Sequence, residues 1–184
     1  MISEILLKPP LIVILHGIAH NMVTDVEYST LIAYIGPGIA EALATAGTAL
    51  GMSEAIASGI PTISEDPAYR GRVFALAMLP MSQTLLYGFV YMFLSYNLIL
   101  PQILAKYQTI PPHIAGAIFG ISLVVGFAEM FSAWMQGRVC GYVASQLIKT
   151  RGGIFSSGII LAAYEELIGI LGMVFGLLVS FALM

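Results

Sequence analysis

Residues 158–172, GIILAAYEELIGILG, set Glu165 and Glu166 inside an apolar run that continues to residue 184. A charged side chain at the centre of a bilayer costs roughly 2.5 to 3.5 kcal/mol on insertion scales, so a carboxylate kept there marks a functional site. Composition supports a membrane setting. The chain has 184 residues, 59% hydrophobic and 9% charged, and a mean hydropathy of +0.94, which a domain with a polar, water-facing surface does not reach. An all-α, multi-pass membrane protein is therefore expected. The net charge of −3 offers no basic field, so no nucleic-acid role is expected. The single cysteine, Cys140, excludes an intramolecular disulfide framework and sits in an apolar segment, as a small buried thiol does.

Outward from the C-terminal run, the apolar segments are four: residues 31–60, 73–100, 114–148 and 154–184. At 1.5 Å per residue they reach roughly 42 to 53 Å, longer than a hydrocarbon core of about 30 Å, and are expected to protrude or tilt. Residues 1–30 differ. Their apolar core, 11–15, is too short to span, so they are expected to form an N-terminal extension with a short interfacial helix ending near Asn21. No cleavage pattern follows, so the extension is expected to be retained. His16 and His20 share a helix face there and read as an interfacial pair, because no Cys or carboxylate stands at matching spacing for a metal.

Four of the basic residues, Arg70, Arg72, Lys149 and Arg151, fall in the connections 61–72 and 149–153; Lys8 and Lys106 lie on the opposite side. The positive-inside rule puts those two loops in the cytoplasm and both termini outside a cell (plasma or inner) membrane. Arg138, on the cytoplasmic half of the third segment, is expected to snorkel toward that surface.

Two segments carry small residues at four-residue spacing: Gly47, Gly51 and Ala55 in the first, Ala133, Gly137 and Gly141 in the third. Such stripes let helix backbones approach closely in lipid, either within one bundle or between subunits. Residues 87–95 (YGFVYMFLS) laid on 171–179 (LGMVFGLLV) expose an internal repeat, each half a small-residue helix followed by a bulkier one. The chain thus divides into two fused helical hairpins, residues 31–100 and 112–184. The second alone carries the carboxylate pair, because Ser82 occupies the position equivalent to Glu166.

Polar residues gather at one depth. In LPMSQTLLYG (79–88), Pro80 removes a backbone donor and frees carbonyls beside Ser82 and Gln83. Gln136 interrupts the third segment, and Glu165 and Glu166 the fourth. Counted from their cytoplasmic ends, Gln83, Gln136 and Glu166 all lie about 16 to 20 Å in. A carboxylate, two amide oxygens, a hydroxyl and freed carbonyls, with no thiolate or imidazole, make a set for a hard, weakly held cation, sodium or a proton. Glu129, seven residues before Gln136, and Glu41 are candidates for lining a lumen or an exit route. Glu54 reads as a solvated residue near the helix end. Tyr87 stands four residues after Gln83 and can donate to a carboxylate on that face.

The set LPMSQTLLYGF, AWMQGRV (133–139) and AAYEELIGILG (162–172) resembles the proteolipid, the K or c subunit, of V-type and A-type rotary ATPases over about residues 35–184. The resemblance implies a homo-oligomeric c-type ring that turns against a stator subunit with half-channels and joins central-stalk subunits. It implies no catalysis by this chain, because ATP is hydrolysed or made on other subunits. It further implies that Glu166 carries Na⁺ or H⁺, with Gln83, Ser82, the Leu79 carbonyl and Gln136 as ligands. Two features depart from the family pattern. Gln83 precedes Tyr87 by four residues where the family has three, which calls for a local bulge or shifted register. Glu165 adds a second carboxylate, turned about 100° from Glu166. The rival expectation is a small four-helix exporter coupling proton flow to drug or metabolite efflux. It places its essential glutamate in the first helix among aromatic residues, whereas Glu41 stands among Gly, Ala and Thr.

Overall fold

Between Pro10 and Gly36 the chain contains no proline and a single glycine, Gly17, so nothing in the sequence stops a helix there. The computed structural model describes residues 9–184, with side chains from Tyr28 onward. Helix α1 (Pro9–Glu65) runs 57 residues, passing through Pro37 and Pro61. This corrects the expectation of a separate interfacial helix ending near Asn21: the backbone there belongs to α1. The side chains of His16 and His20 lie outside the described residues. Helix α2 spans Pro67–Tyr107, α3 Pro112–Ser145 and α4 Phe155–Ala182.

The connections are short and chemically marked. Asp66 accepts a hydrogen bond from the Ala68 N–H at 3.0 Å and starts α2. Gln108 takes a left-handed φ of 63° at the end of α2, and Pro111 and Pro112 open α3. Arg151 and Gly152 take φ of 53° and 79° in the turn before α4.

Packing begins where α1 meets α3. A Cβ added at Gly47 would overlap the Met130 backbone, and one at Gly137 the Gly51 backbone, so the two helices touch backbone to backbone. The stripes foreseen in the sequence therefore face each other inside one chain. Helices α2 and α4 pack outside this pair and turn Phe74, Leu86, Phe89, Ile160, Leu167 and Phe175 outward. Among the described residues three helices, α2, α3 and α4, are long and apolar enough to cross a membrane by length and composition. Helix α1 differs because Ala, Gly and Thr dominate its middle. Its place against α3 needs small side chains more than apolar ones.

Two apolar clusters close the bundle. Val73, Leu76, Cys140, Val143, Leu147 and Ala162 fill one end, and Ile99, Leu100, Ile103, Ile110, Ile114 and Ile118 the other. The Cys140 thiol is buried and free, as its apolar setting required. At the first end Thr62 Oγ1 donates to Ala144 O at 2.9 Å, and the Arg72 guanidinium lies over the Tyr69 and Phe155 rings. At the second, Ser29 Oγ donates to Ile110 O at 2.7 Å and Lys106 Nζ to Met184 O at 2.6 Å. The two basic connections thus share one end, and the C-terminus shares the other with the 108–111 connection. Between the clusters lie the buried polar residues Gln83, Glu129, Ser132 and Gln136.

Candidate functional site

Pro80 cannot donate to the helix ladder, and α2 breaks around it. The N–H groups of Leu79, Ser82 and Gln83 reach back only three residues, to Leu76, Leu79 and Pro80. The Pro80 carbonyl is taken by Thr48 Oγ1 of α1 at 2.9 Å, and Thr48 Oγ1 also lies 2.8 Å from Thr84 Oγ1. Neither threonine stood out in the sequence, since their role depends on a cross-helix neighbour. The Leu79 carbonyl accepts from Ser82 Oγ at 3.1 Å. Directly after the break, Gln83–Gly88 forms a π-helical turn. An inserted residue is absorbed this way without shifting the downstream register, and the four-residue spacing from Gln83 to Tyr87 is the signal that called for it.

The π turn aims Tyr87 at α4. Its hydroxyl donates to Glu166 Oε1 at 2.9 Å. From α3, Gln136 Nε2 donates to Glu166 Oε2 at 3.4 Å and to the Ala162 carbonyl at 3.3 Å. Gln136 is fully buried, and its amide oxygen has no hydrogen-bond partner. Ser132, one turn before it, donates to the Glu165 carbonyl at 2.5 Å and fixes the rise of α4 along α3. Glu166 is half-buried and opens into a cavity of about 380 Å³ that Leu79, Ser82, Leu85 and Leu86 also line. Four of the six residues singled out from the sequence for the ion, Glu166, Gln136, Tyr87 and Ser82, are therefore gathered at or beside one carboxyl, with Leu79 on the shared cavity.

Gln83 is placed differently. Its side chain is fully buried and points away from that cavity to Gly169, one turn beyond Glu166, where its amide oxygen lies next to a carboxylate oxygen of Glu129. Glu129 has no exposed surface, so within the chain it lines neither a lumen nor an exit route. Glu54 is more than a solvated terminal residue: Trp134 Nε1 donates to its Oε1 at 2.6 Å, and Arg138 Nε lies 3.5 Å from its Oε2. Arg138 thus pairs across to α1 as well as reaching toward the surface. Glu165 is half-buried on the adjoining face of α4.

Chemically, the gathered groups can hold a carboxylate with two donors while leaving the Gln136 amide oxygen, the Ser82 hydroxyl and the Leu79 carbonyl near it to meet a cation. The family model for the C subunit of ATP synthase matches residues 35–95 and again residues 119–179. The two matches fall on the two hairpins, and they end on Ser95 and Val179, the same pair that the internal repeat superposes. A search of curated proteins finds no match.

Proposed function

The chain belongs to the family of the ATP synthase C subunit, and we propose that it is the rotor-ring proteolipid of a V/A-type rotary ATPase, carrying Na⁺ or H⁺ on Glu166. The family is one of membrane proteolipids that assemble into rings and translocate ions for other subunits that handle ATP, so no catalysis is assigned to this chain. Family membership does not favour the exporter.

One observation carries the assignment to Glu166. Of the two half-buried carboxyls midway along α4, Glu166 is the one held by Tyr87 and Gln136 and opening on a cavity with Ser82 and Leu79. Held as a neutral pair with its ion, such a carboxyl can face lipid; ionised, it cannot, and must meet a positive group or water. A stator basic residue and aqueous half-channels would meet that need at one point of each turn. The oxygen set supports sodium: Ser82, Gln136 and the Leu79 carbonyl are superfluous for a proton, which needs the carboxyl alone. Gln83 joins this set only with its side chain turned from Gly169 toward the cavity. One carrying carboxyl per four helices means fewer ions per turn than a ring of two-helix subunits of the same girth, which favours pumping.

The test is labelling of the purified protein with dicyclohexylcarbodiimide, which attacks protonated carboxyls in apolar surroundings, with mass-spectrometric mapping across pH and Na⁺ concentration. Glu166 should be the modified residue, and Na⁺ should protect it. Labelling that follows pH but ignores Na⁺ would make the carrier a proton site, and an unlabelled Glu166 would end the assignment.

A further inference from the structure

Inward from the Glu166 carboxyl, Gln83 of α2 and Glu129 of α3 meet at Gly169, and Glu41 of α1 reaches Gly88, near enough for its charge to act on Glu129. Gln83 and Glu129 are both 0% exposed. The amide oxygen and nitrogen of Gln83, both carboxylate oxygens of Glu129 and Oε2 of Glu41 are buried without a hydrogen-bond partner. Two glycines leave the room they occupy. A Cβ at Gly169 of α4 would overlap Gln83 Oε1 and stand 2.6 Å from Glu129 Oε2. One at Gly88 of α2 would overlap Glu41 Oε2 and stand 3.2 Å from the backbone carbonyl of Gln83.

These groups are acceptors facing acceptors. Glu129 lies in the field of Glu41, and the Tyr87 hydroxyl, committed to Glu166, lies in the fields of both Glu166 and Glu129. Among the described residues the only ion pair joins Arg138 to Glu54, so no basic side chain neutralises Glu41 or Glu129. Turning the Gln83 amide over would give one carboxylate oxygen a donor and leave the others bare. A fully buried Glu129 beside a half-buried Glu41, with no counter-charge for either, is not a stable arrangement of ionised carboxylates in a helix bundle. A proton bridges two acceptors, but here several converge from three helices, which is the environment of a small metal cation bound through oxygen.

We propose that Glu41, Gln83 and Glu129 form a second monovalent-cation site in each chain, holding a sodium ion separate from the one assigned to Glu166. One ion and one retained proton bring the two carboxyls to neutrality. Enclosed among the helices and away from the outer cavity, this ion is resident rather than cargo, and it ties α1, α2 and α3 together at mid-depth. The site does not depend on the rotor reading: none of its carboxyls is the one that faces lipid, and with its side chain at Gly169, Gln83 serves this ion and not the one at Glu166.

The test counts sodium bound to the purified full-length protein by equilibrium binding of ²²Na⁺ and follows thermal unfolding in sodium chloride against choline chloride. In the E166Q variant, one sodium per chain should remain, and sodium should still raise the unfolding temperature. Adding E129Q should remove both the bound ion and the temperature rise. Should that double variant fail to fold, G169A in the E166Q background supplies the same test by pushing a methyl group into the cage. No sodium retained by E166Q, or a count that neither E129Q nor G169A lowers, overturns the second site. Loss of one sodium in E129Q together with no loss in E166Q keeps it while sinking the role given to Glu166.

Discussion

Tyr87 and Gln136 hold the Glu166 carboxyl from two different helices, at 2.9 and 3.4 Å. The shorter bond is the stronger, and a hydrogen bond to a charged group contributes roughly 1.5 to 3 kcal/mol. Tyr87→Phe is therefore expected to weaken ion occupancy at Glu166 roughly 10- to 100-fold, read as a higher Na⁺ concentration needed to protect Glu166 from carbodiimide. An unchanged protection curve would show that the tyrosine does not serve the ion-bound state. At this scale the sequence disclosed which polar residues lie at one level of the helices but not which way they face. Gln83, Gln136 and Glu166 share a depth, and depth follows from counting residues along helices. The direction of the Gln83 side chain does not follow from counting. It depends on the absence of a side chain at Gly169 and on Glu129, both on other helices.

The break and bulge of α2 show how an element can absorb an awkward sequence. Pro80 removes one donor, the Thr48 hydroxyl donates to the Pro80 carbonyl at the break, and the π turn at Gln83–Gly88 accommodates one extra residue. Deleting the exposed Leu85 should convert that turn to an ordinary α-helical one, keeping Tyr87 against Glu166, with carbodiimide labelling of Glu166 retained. A deletion in the regular stretch Arg70–Met78 should instead rotate the preceding helix by about 100° and abolish labelling. The α1–α3 contact makes an opposite demand, tolerating no added volume. Gly137→Leu would drive a side chain into the Gly51 backbone, and overpacking of this kind costs about 1 to 3 kcal/mol or more. The expected result is a lower unfolding temperature and loss of the purified oligomer, checked by scanning calorimetry and gel filtration. The spacing of small residues announced such a contact; whether it lay within the chain or between chains was settled only by seeing the two stripes meet.

For the molecule as a whole, the two basic connections occupy one end and the C-terminus the other. By the positive-inside bias, a membrane-impermeant maleimide applied to intact cells should modify a cysteine appended after Met184 and spare Thr150→Cys. The reverse pattern would invert the orientation. Native Cys140 is buried and should stay silent in both. The amino-acid sequence by itself determined the membrane class, the hairpin repeat, the helix count and the mid-depth carboxyl, because hydropathy, charge placement and residue spacing are properties of a chain read in one dimension. It misled on where α1 begins, because a short apolar core does not limit a helix that contains no breaker. Only the tertiary structure decided what each polar group meets: Thr48 at the Pro80 carbonyl, Trp134 and Arg138 at Glu54, Glu129 and Gln83 together at Gly169. Those pairings join residues that are mostly tens of positions apart. Their geometry is set by how closely glycine-bearing helices approach, a quantity that emerges only when all four pack at once.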